Sequence, residues 1–324
     1  MKNSLKDIAK LIKKSGKIAI FTHINPDYDA LGSSLALYYA CQSLNKEVDI
    51  YIKDELTKTQ RLLVDSTVLK NEFTDRQYDV FISTDVSSKE LLGDYKDVFI
   101  NAQTNIVIDH HSSNELIGKF TFREPSYSSC SEIIFLLIKL MKVKITDKIA
   151  SLVYVGLSGD TNSFTNTNTN QNSYYTACEC YKYGGDTVKI NEIMYRTQTT
   201  KETELEKYLL NNYHTIDDVA YCIVTLKTLE KMDARKADCD FYSSKLISME
   251  GINIAFSVIE SKPNYYNLSF RSKYGFNVRD IASKFGGGGH IGAAGAKLQY
   301  DNVDKLLNQI LETIEAQRVE NNEN

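Results

Sequence analysis

Eight ionisable side chains of this chain fall where apolar runs end. His23 closes KIAIFTH (17–23), and Asp27 and Asp29 lie in the turn just after it. Asp85 follows YDVFIST (78–84), and Asp109, His110 and His111 follow the apolar core of TNIVIDHH (104–111). Asp160 follows the apolar-periodic segment IASLVYVGLSG (149–159). Carboxylates and imidazoles converging in one crevice could not all stay ionised, because like charges at close range force protonation. Divalent cations resolve that conflict. Mixed carboxylate and imidazole ligands with no thiolate suit Mn²⁺, Mg²⁺, Fe²⁺ or Zn²⁺, and so many hard oxygens favour Mn²⁺. Two ions about 3.5–4 Å apart can share a carboxylate, acidify a water and clamp a phosphoryl group. A DxD turn alone is usually structural, and a lone strand-end histidine is usually a hydrogen-bonded neighbour. The distribution argues otherwise: of five histidines, His23, His110 and His111 end apolar runs and His290 follows a glycine run. His214 alone reads as an ordinary connector residue.

The glycine run is Gly286, Gly287, Gly288 and Gly289 before His290, with Ala293, Ala294 and Gly295 beyond. Four glycines are entropically expensive to order, so a flexible linker is the bland interpretation. It fits poorly, because a helical pattern (VRDIASKF, 278–285) and a strand-like one (AGAKLQY, 294–300) frame the run. Glycines let backbone N–H groups approach an anion closely. Arg271, at the end of NLSF, adds a fork of donors, and His290 adds another. From Lys262 to Lys297 six basic residues face Asp280 alone, a local balance of +5. A solvated basic face and a phosphate-facing surface are both open, and the glycines favour the second.

The elements that must position these groups follow from patterning. KIAIFTH, EVDIYI, YDVFIST and TNIVIDHH read as strands buried on both faces. ALGSSLALYYACQSL (30–44) and SEIIFLLIKLMK (131–142) read as helices between them. Strands alternating with helices predict an α/β fold with a mostly parallel, doubly wound sheet. Ligands of such sheets bind beyond the carboxyl ends of the strands, so strand-end placement gathers distant residues along one edge. TNTNTNQN (165–172) is a polar loop before the helix SYYTACECYKY, which Gly184 and Gly185 end. The expected division is a domain over 1–190, a helical connector over 191–214, and a smaller α/β domain over 215–324. The last helix is expected to run to Gln317, with RVENNEN frayed.

At 324 residues the chain is long enough for two cores. It is 42% hydrophobic and 25% charged, with a mean hydropathy of −0.32. No stretch approaches the roughly 18 apolar residues of a membrane span, and the lysine-rich N-terminus lacks a secretory h-region, so the expectation is a cytoplasmic protein without membrane contact. Six cysteines without metal-ligand spacing read as reduced, mostly buried thiols. A net charge of −4 argues against long duplex nucleic acid as partner.

These motifs, taken in order, resemble those of the DHH phosphoesterase superfamily over essentially the whole chain. HINPDYDALGS (23–33) is similar to its first motif, Asp85 to its second, DHH (109–111) to its third and SGDTNSF (158–164) to its fourth. GGGGHIGAAG (286–295) with SFRS (269–272) resembles its associated C-terminal domain. The resemblance implies one metal held by His23, Asp27 and Asp85, and another by Asp29, Asp85, His110 and Asp160. It implies His111 at the scissile phosphate and Asp109 backing the histidines. It also implies Arg271, His290 and Gly287–Gly289 on the substrate's nucleotide and distal phosphate, with the active site in a cleft between the domains. One departure stands out: Tyr28 replaces the usual glycine between the two aspartates of the first motif.

Length and the GGGGH run point to the stand-alone nano-RNase/pAp-phosphatase type. The implied substrates are short oligonucleotides such as pApA, cleaved to 5′-mononucleotides in the manner of a 3′–5′ oligoribonuclease, and the nucleotide bisphosphate pAp. Two divalent ions, Mn²⁺ before Mg²⁺, are the implied cofactors, and a homodimer is compatible with the family. The competing readings are a non-catalytic sensor of a nucleotide second messenger, suggested by Tyr28, and a manganese pyrophosphatase, disfavoured by GGGGH.

Overall fold

Short β-branched and aromatic runs near the start of the chain build one parallel sheet. In the computed structural model, which describes residues 3–73, 76–112, 115 and 118–322, its strands are β1 (Lys17–Phe21), β2 (Glu47–Tyr51), β3 (Leu69–Lys70), β4 (Val80–Thr84), β5 (Asn105–Asp109) and β6 (Phe120–Arg123). They lie in the order β3-β2-β1-β4-β5-β6, every neighbouring pair parallel. Side chains alternate between two cores, as the period of two demands. Ile18, Ile20, Ile82, Ile106 and Ile108 face the helices Leu5–Lys14, Tyr28–Gln42, Cys130–Leu140 and Asp147–Asp160. Ala19, Phe21, Tyr51 and Val107 face an aromatic cluster with Leu92, Tyr95 and Phe99. The expected doubly wound α/β sheet is therefore present. Strand order reverses between β1 and β4, where crossovers diverge and leave the crevice in which such sheets hold ligands.

This sheet belongs to a compact unit spanning Met1–Thr197; a second spans Gln198–Asn324. The stretch expected as one connector is broken: helices occupy Thr187–Tyr195 and Thr200–Asn212, and Leu205 and Leu209 of the latter are buried in a core of the second unit. That unit's strands are β7 (Tyr213–Ile216), β8 (Val219–Val224), β9 (Ile254–Lys262), β10 (Tyr265–Ser272), β11 (Gly288–His290) and β12 (Ala293–Gln299), in the order β11-β12-β10-β9-β8-β7. Only β8 and β9 pair in parallel. Phe256 and Val258 pack toward the helices Val278–Lys284 and Val303–Asn322, while Ala255 and Ile259 pack on the opposite face.

Two expectations change here. The final helix continues to Asn322 instead of fraying after Gln317, because Arg318 is tied to Asp218 and, at 2.6 Å, to Glu315; residues 323–324 of that segment lie outside the described residues. The segment before Asp160 is a helix, Asp147–Asp160, so this carboxylate is delivered by a helix end and not by a strand end.

Candidate metal centre

The carboxyl ends of β1, β4 and β5 bring His23, Asp85 and His110 into one place. Among the described residues, three groups place ligand atoms within 4.8 Å of one another: His23, Asp27 and Asp85; Asp29, His110 and Asp160; and Asp85, His110 and His111. His23 Nε2 lies 3.7 Å from Asp27 Oδ1 and 3.8 Å from Asp85 Oδ2. His110 Nε2 lies 3.1 Å from Asp160 Oδ2, 3.5 Å from Asp85 Oδ1 and 3.9 Å from Asp29 Oδ2. Asp85 is thus the carboxylate shared by two of the three groups, linked through His110 to the third. Its backbone is left-handed, with φ +61°, a conformation that few non-glycine residues adopt and that clusters at functional sites. Asp85 Oδ1 is buried and, among the described residues, accepts no hydrogen bond. The His110 and His111 imidazoles stand 3.5 and 3.6 Å from it, and a metal ion between the groups would give it a direct partner.

Local structure explains how each group is aimed. Asp27 caps the helix Tyr28–Gln42, its Oδ1 accepting from Asp29 N and Ala30 N at 2.9 Å each, so capping and candidate ligation fall on one carboxylate. Asp29 is wholly buried and accepts from Cys130 N (2.6 Å) and Ser131 N (2.9 Å), the first amides of the helix Cys130–Leu140. A helix N-terminus holds an anion well. Ser129 and Glu132 set that N-terminus with a capping box. Glycines keep it within reach: a Cβ on Gly156 would collide with Ser131 Oγ and come 2.5 Å from Asp29 Oδ1, and one on Gly32 would lie 2.5 Å from Leu152 O. His110 Nδ1 lies 3.3 Å from Tyr127 O, and His111 Nδ1 lies 2.8 Å from the buried carboxylate of Asp109. Such partners fix ring orientation and tautomer.

Crowding appears in the protonation of the centre. Burial raises Asp29 well above the usual carboxylate range, and the Asp85 and Asp160 charges push it further. Burial also raises Asp160 to about 6 although His110 opposes the shift. Burial works against the imidazolium of His23, yet the Asp27 and Asp85 carboxylates lift it to about 10. His110 is likewise raised, by Asp160 and Asp85, against the effect of its burial. Without cations the groups hold together by keeping protons, and divalent ions would displace those protons. The donor set fits hard to borderline divalent metals; the nearby Cys130 thiol is turned away, donating to Ile108 O at 3.3 Å.

Tyr28, the unusual residue, opens the helix without displacing either aspartate. Its Cβ packs where Gly159 has no side chain, since a Cβ on Gly159 would lie 2.6 Å from it. The larger residue is accommodated by a smaller one four residues before Ser163.

In the second unit, Arg271 and His290 both pair in register with Ala293, from either side. They therefore lie in one cross-strand row, on one face of the sheet. Burial lowers the Arg271 guanidinium's pKa, partly opposed by Asp240, and its Nη1 donates to Phe270 O at 2.9 Å. The glycine run differs from the expected cradle of amides. Gly286 N and Gly287 N donate to Ser283 O and Ala282 O, closing the preceding helix with Gly286 at φ +74°. Gly288, Gly289 and His290 form strand β11 against β12, and a Cβ on Gly287 would collide with Gly295 O. Glycine is needed here for a helix stop and a close strand approach.

Sequence reasoning missed Cys130, Ser131 and Gly156, which hold Asp29 from the next helices. Ser129-x-x-Glu132 is a readable capping box; its link to a residue a hundred positions earlier is not readable.

Comparison with known proteins agrees with this architecture. Residues 17–157 match the DHH family N-terminal domain and residues 218–316 match the DHHA1 domain. A curated relative from Mycoplasma genitalium, named bifunctional oligoribonuclease and PAP phosphatase NrnA, is 32% identical over 91% of this chain and 92% of its own. The identically named protein of Mycoplasma pneumoniae is 28% identical over 92% of each chain. The crystal structure of an exopolyphosphatase-related protein from Bacteroides fragilis superposes with a TM-score of 0.88, at 25% identity and over 97% of this chain and 96% of that one. With both domain matches in order and that degree of identity along nearly its whole length, the chain belongs to the DHH family of phosphoesterases and carries a DHHA1 domain.

Proposed function

We propose that this protein is a metal-dependent phosphoesterase that cleaves short oligoribonucleotides to 5′-mononucleotides and converts pAp to AMP and phosphate. The observation that carries the reading is Asp85: a buried carboxylate without a hydrogen bond on Oδ1, between two groups of His and Asp side chains. The names of the curated relatives join the same two activities. Both activities break the same bond, between phosphorus and a 3′-oxygen, so one centre serves both.

Two divalent ions, Mn²⁺ in preference to Mg²⁺, fit the donor set: one on His23, Asp27 and Asp85, the other on Asp29, Asp85, His110 and Asp160. When bound they would supply Lewis acidity and a water of lowered pKa. The chain's own residues do the rest. Asp85 holds the two positions in fixed relation. The helix amides of Cys130 and Ser131 keep Asp29 from swinging away. Asp109 orients His111, which meets the scissile phosphate and gives a proton to the departing 3′-oxygen. Arg271 and His290, on one face of the second sheet, take a substrate phosphate, with Gly287–Gly289 leaving room beside them. The free cysteines, Cys178 exposed and five buried, suit a reducing compartment, and no helix among the described residues is long and apolar enough to cross a membrane; we place the protein in the cytoplasm.

The test is metal-depleted protein given pApA, pAp or pyrophosphate, with and without Mn²⁺. AMP release from the first two only with metal, and no turnover of pyrophosphate, is the expected outcome. No metal-dependent release from either nucleotide would sink the reading.

A further inference from the structure

A cavity of about 210 Å³ opens at the carboxyl ends of β1 and β2, and His23 forms part of its wall. The cavity therefore adjoins the candidate metal centre, whose Asp27 and Asp85 lie 3.7 and 3.8 Å from the same imidazole. We propose that it seats the nucleoside joined through its 5′-oxygen to the scissile phosphate, the part of a dinucleotide that pAp lacks. The inference rests on the phosphoesterase reading and deepens it.

Size, lining and charge carry the proposal. The volume lies below the roughly 300 Å³ at which pockets for drug-sized ligands begin, so the cavity takes a single ring system and not a whole nucleotide. Its floor is apolar, with Leu92 and Tyr95 almost fully buried, and its rim is polar, with Lys53, Asp54 and Asp94. A base or ribose has this mixed character. Away from the metal-centre side, where His23 stands as a candidate ligand, the two carboxylates outnumber the one ammonium. Lys53 is already paired with Asp94, and Asp54 Oδ2 accepts from a neutral donor, Asn25 N, at 2.9 Å. The rim thus repels a further phosphate and accepts hydroxyl or amine donors. In pApA the nucleoside on the phosphoryl side ends in a neutral 3′-hydroxyl, whereas the leaving nucleotide carries a 5′-phosphate. Charge therefore assigns the cavity to the former. A dinucleotide that itself ends in a 3′-phosphate, pApAp, would bring that phosphate to the acidic rim, so the same residues favour a free 3′ end.

The experiment compares kcat/KM for pApA, for the internal linkage of pApAp (read as release of pAp and AMP) and for pAp in Mn²⁺-loaded wild type, Lys53→Trp and Asp94→Asn. Lys53 and Asp94 are exposed, and Lys53→Trp offers a ring that can fill the cavity. The expected result is a fall of about tenfold in the pApA-to-pAp ratio for Lys53→Trp, and for Asp94→Asn a rise of several-fold in the pApAp-to-pApA ratio. Ratios unchanged in both variants would overturn the inference while leaving the phosphoesterase reading intact. Should Lys53→Trp misfold, the pApAp-to-pApA ratio of Asp94→Asn decides alone. A wild type inactive on all three substrates would instead refute the phosphoesterase reading.

Discussion

The two ligand groups meeting at Asp85 are built differently. In the group with His23, the Asp27 side chain is 54% exposed and sits at a helix N-cap, beside the cavity at the ends of β1 and β2. In the group with His110, Asp29 is fully buried and His110 is 6% exposed, each held by backbone from another element. The first is an open position with room to exchange its ligands. The second is a preorganised one, set by helix ends and glycine contacts. In the proposed two-ion centre this difference separates a labile ion, next to substrate, from a retained one.

The largest effect should come from the residue common to both. Asp85→Asn is expected to lower kcat/KM by roughly 10³-fold, the upper end for losing one electrostatic contact in an active site, and metal analysis should find fewer than two ions per chain. Gly156→Ala attacks the buried group without touching a ligand. The added methyl must displace Asp29 or Ser131, and a misplacement of about 1 Å costs about 10²-fold in rate; equal activity in this variant would show that the helix crossing has slack. Asp27→Ala and Asp29→Ala sharpen the comparison. After brief chelator treatment the first should retain one ion per chain and the second none, as read by metal analysis of the desalted protein.

The smallest effect is that of pH. Asp160 and His23 both have raised pKa values in the metal-free fold, about 6 against 3.8 and about 10 against 6.5. Raised groups contribute stability that is complete below the unfolded pKa and lost as pH rises through the folded one. The metal-free protein should therefore lose stability from about pH 4 to 6 through Asp160, and from about pH 6.5 to 10 through His23. Metal binds the deprotonated forms, so the rise in Tm on adding Mn²⁺ should be greater at pH 8 than at pH 5. A constant increment would mean that these protons do not leave on binding.

Much of this was legible in the residues. β1, β2, β4 and β5 are buried on both faces and announce themselves as apolar runs; β3 and β6 lie at the sheet's edges, are only partly buried, and leave no such trace. The site residues of the first unit were readable from where the runs stop. Asp160 was grouped with the other candidate ligands by its place after an apolar segment, and that segment is a helix; an apolar stretch that ends at a polar group looks alike whether it is strand or helix. What stayed hidden is long-range support: Gly156 and the amides of Cys130 and Ser131 act on Asp29 across 101 residues or more. The structural part played by the glycine run stayed hidden for a related reason. Composition shows that the backbone must come close to something, and here it comes close to its own strand partner.

Asp85 has a consequence for the evolution and engineering of this fold. Its left-handed backbone and unsatisfied oxygen both oppose folding. A glycine there would suit the backbone and remove the buried charge, and the chain would become sturdier and idle. Screens that reward stability alone would therefore drift toward dismantling the centre, and any stabilised version of this protein has to be selected with its metal present.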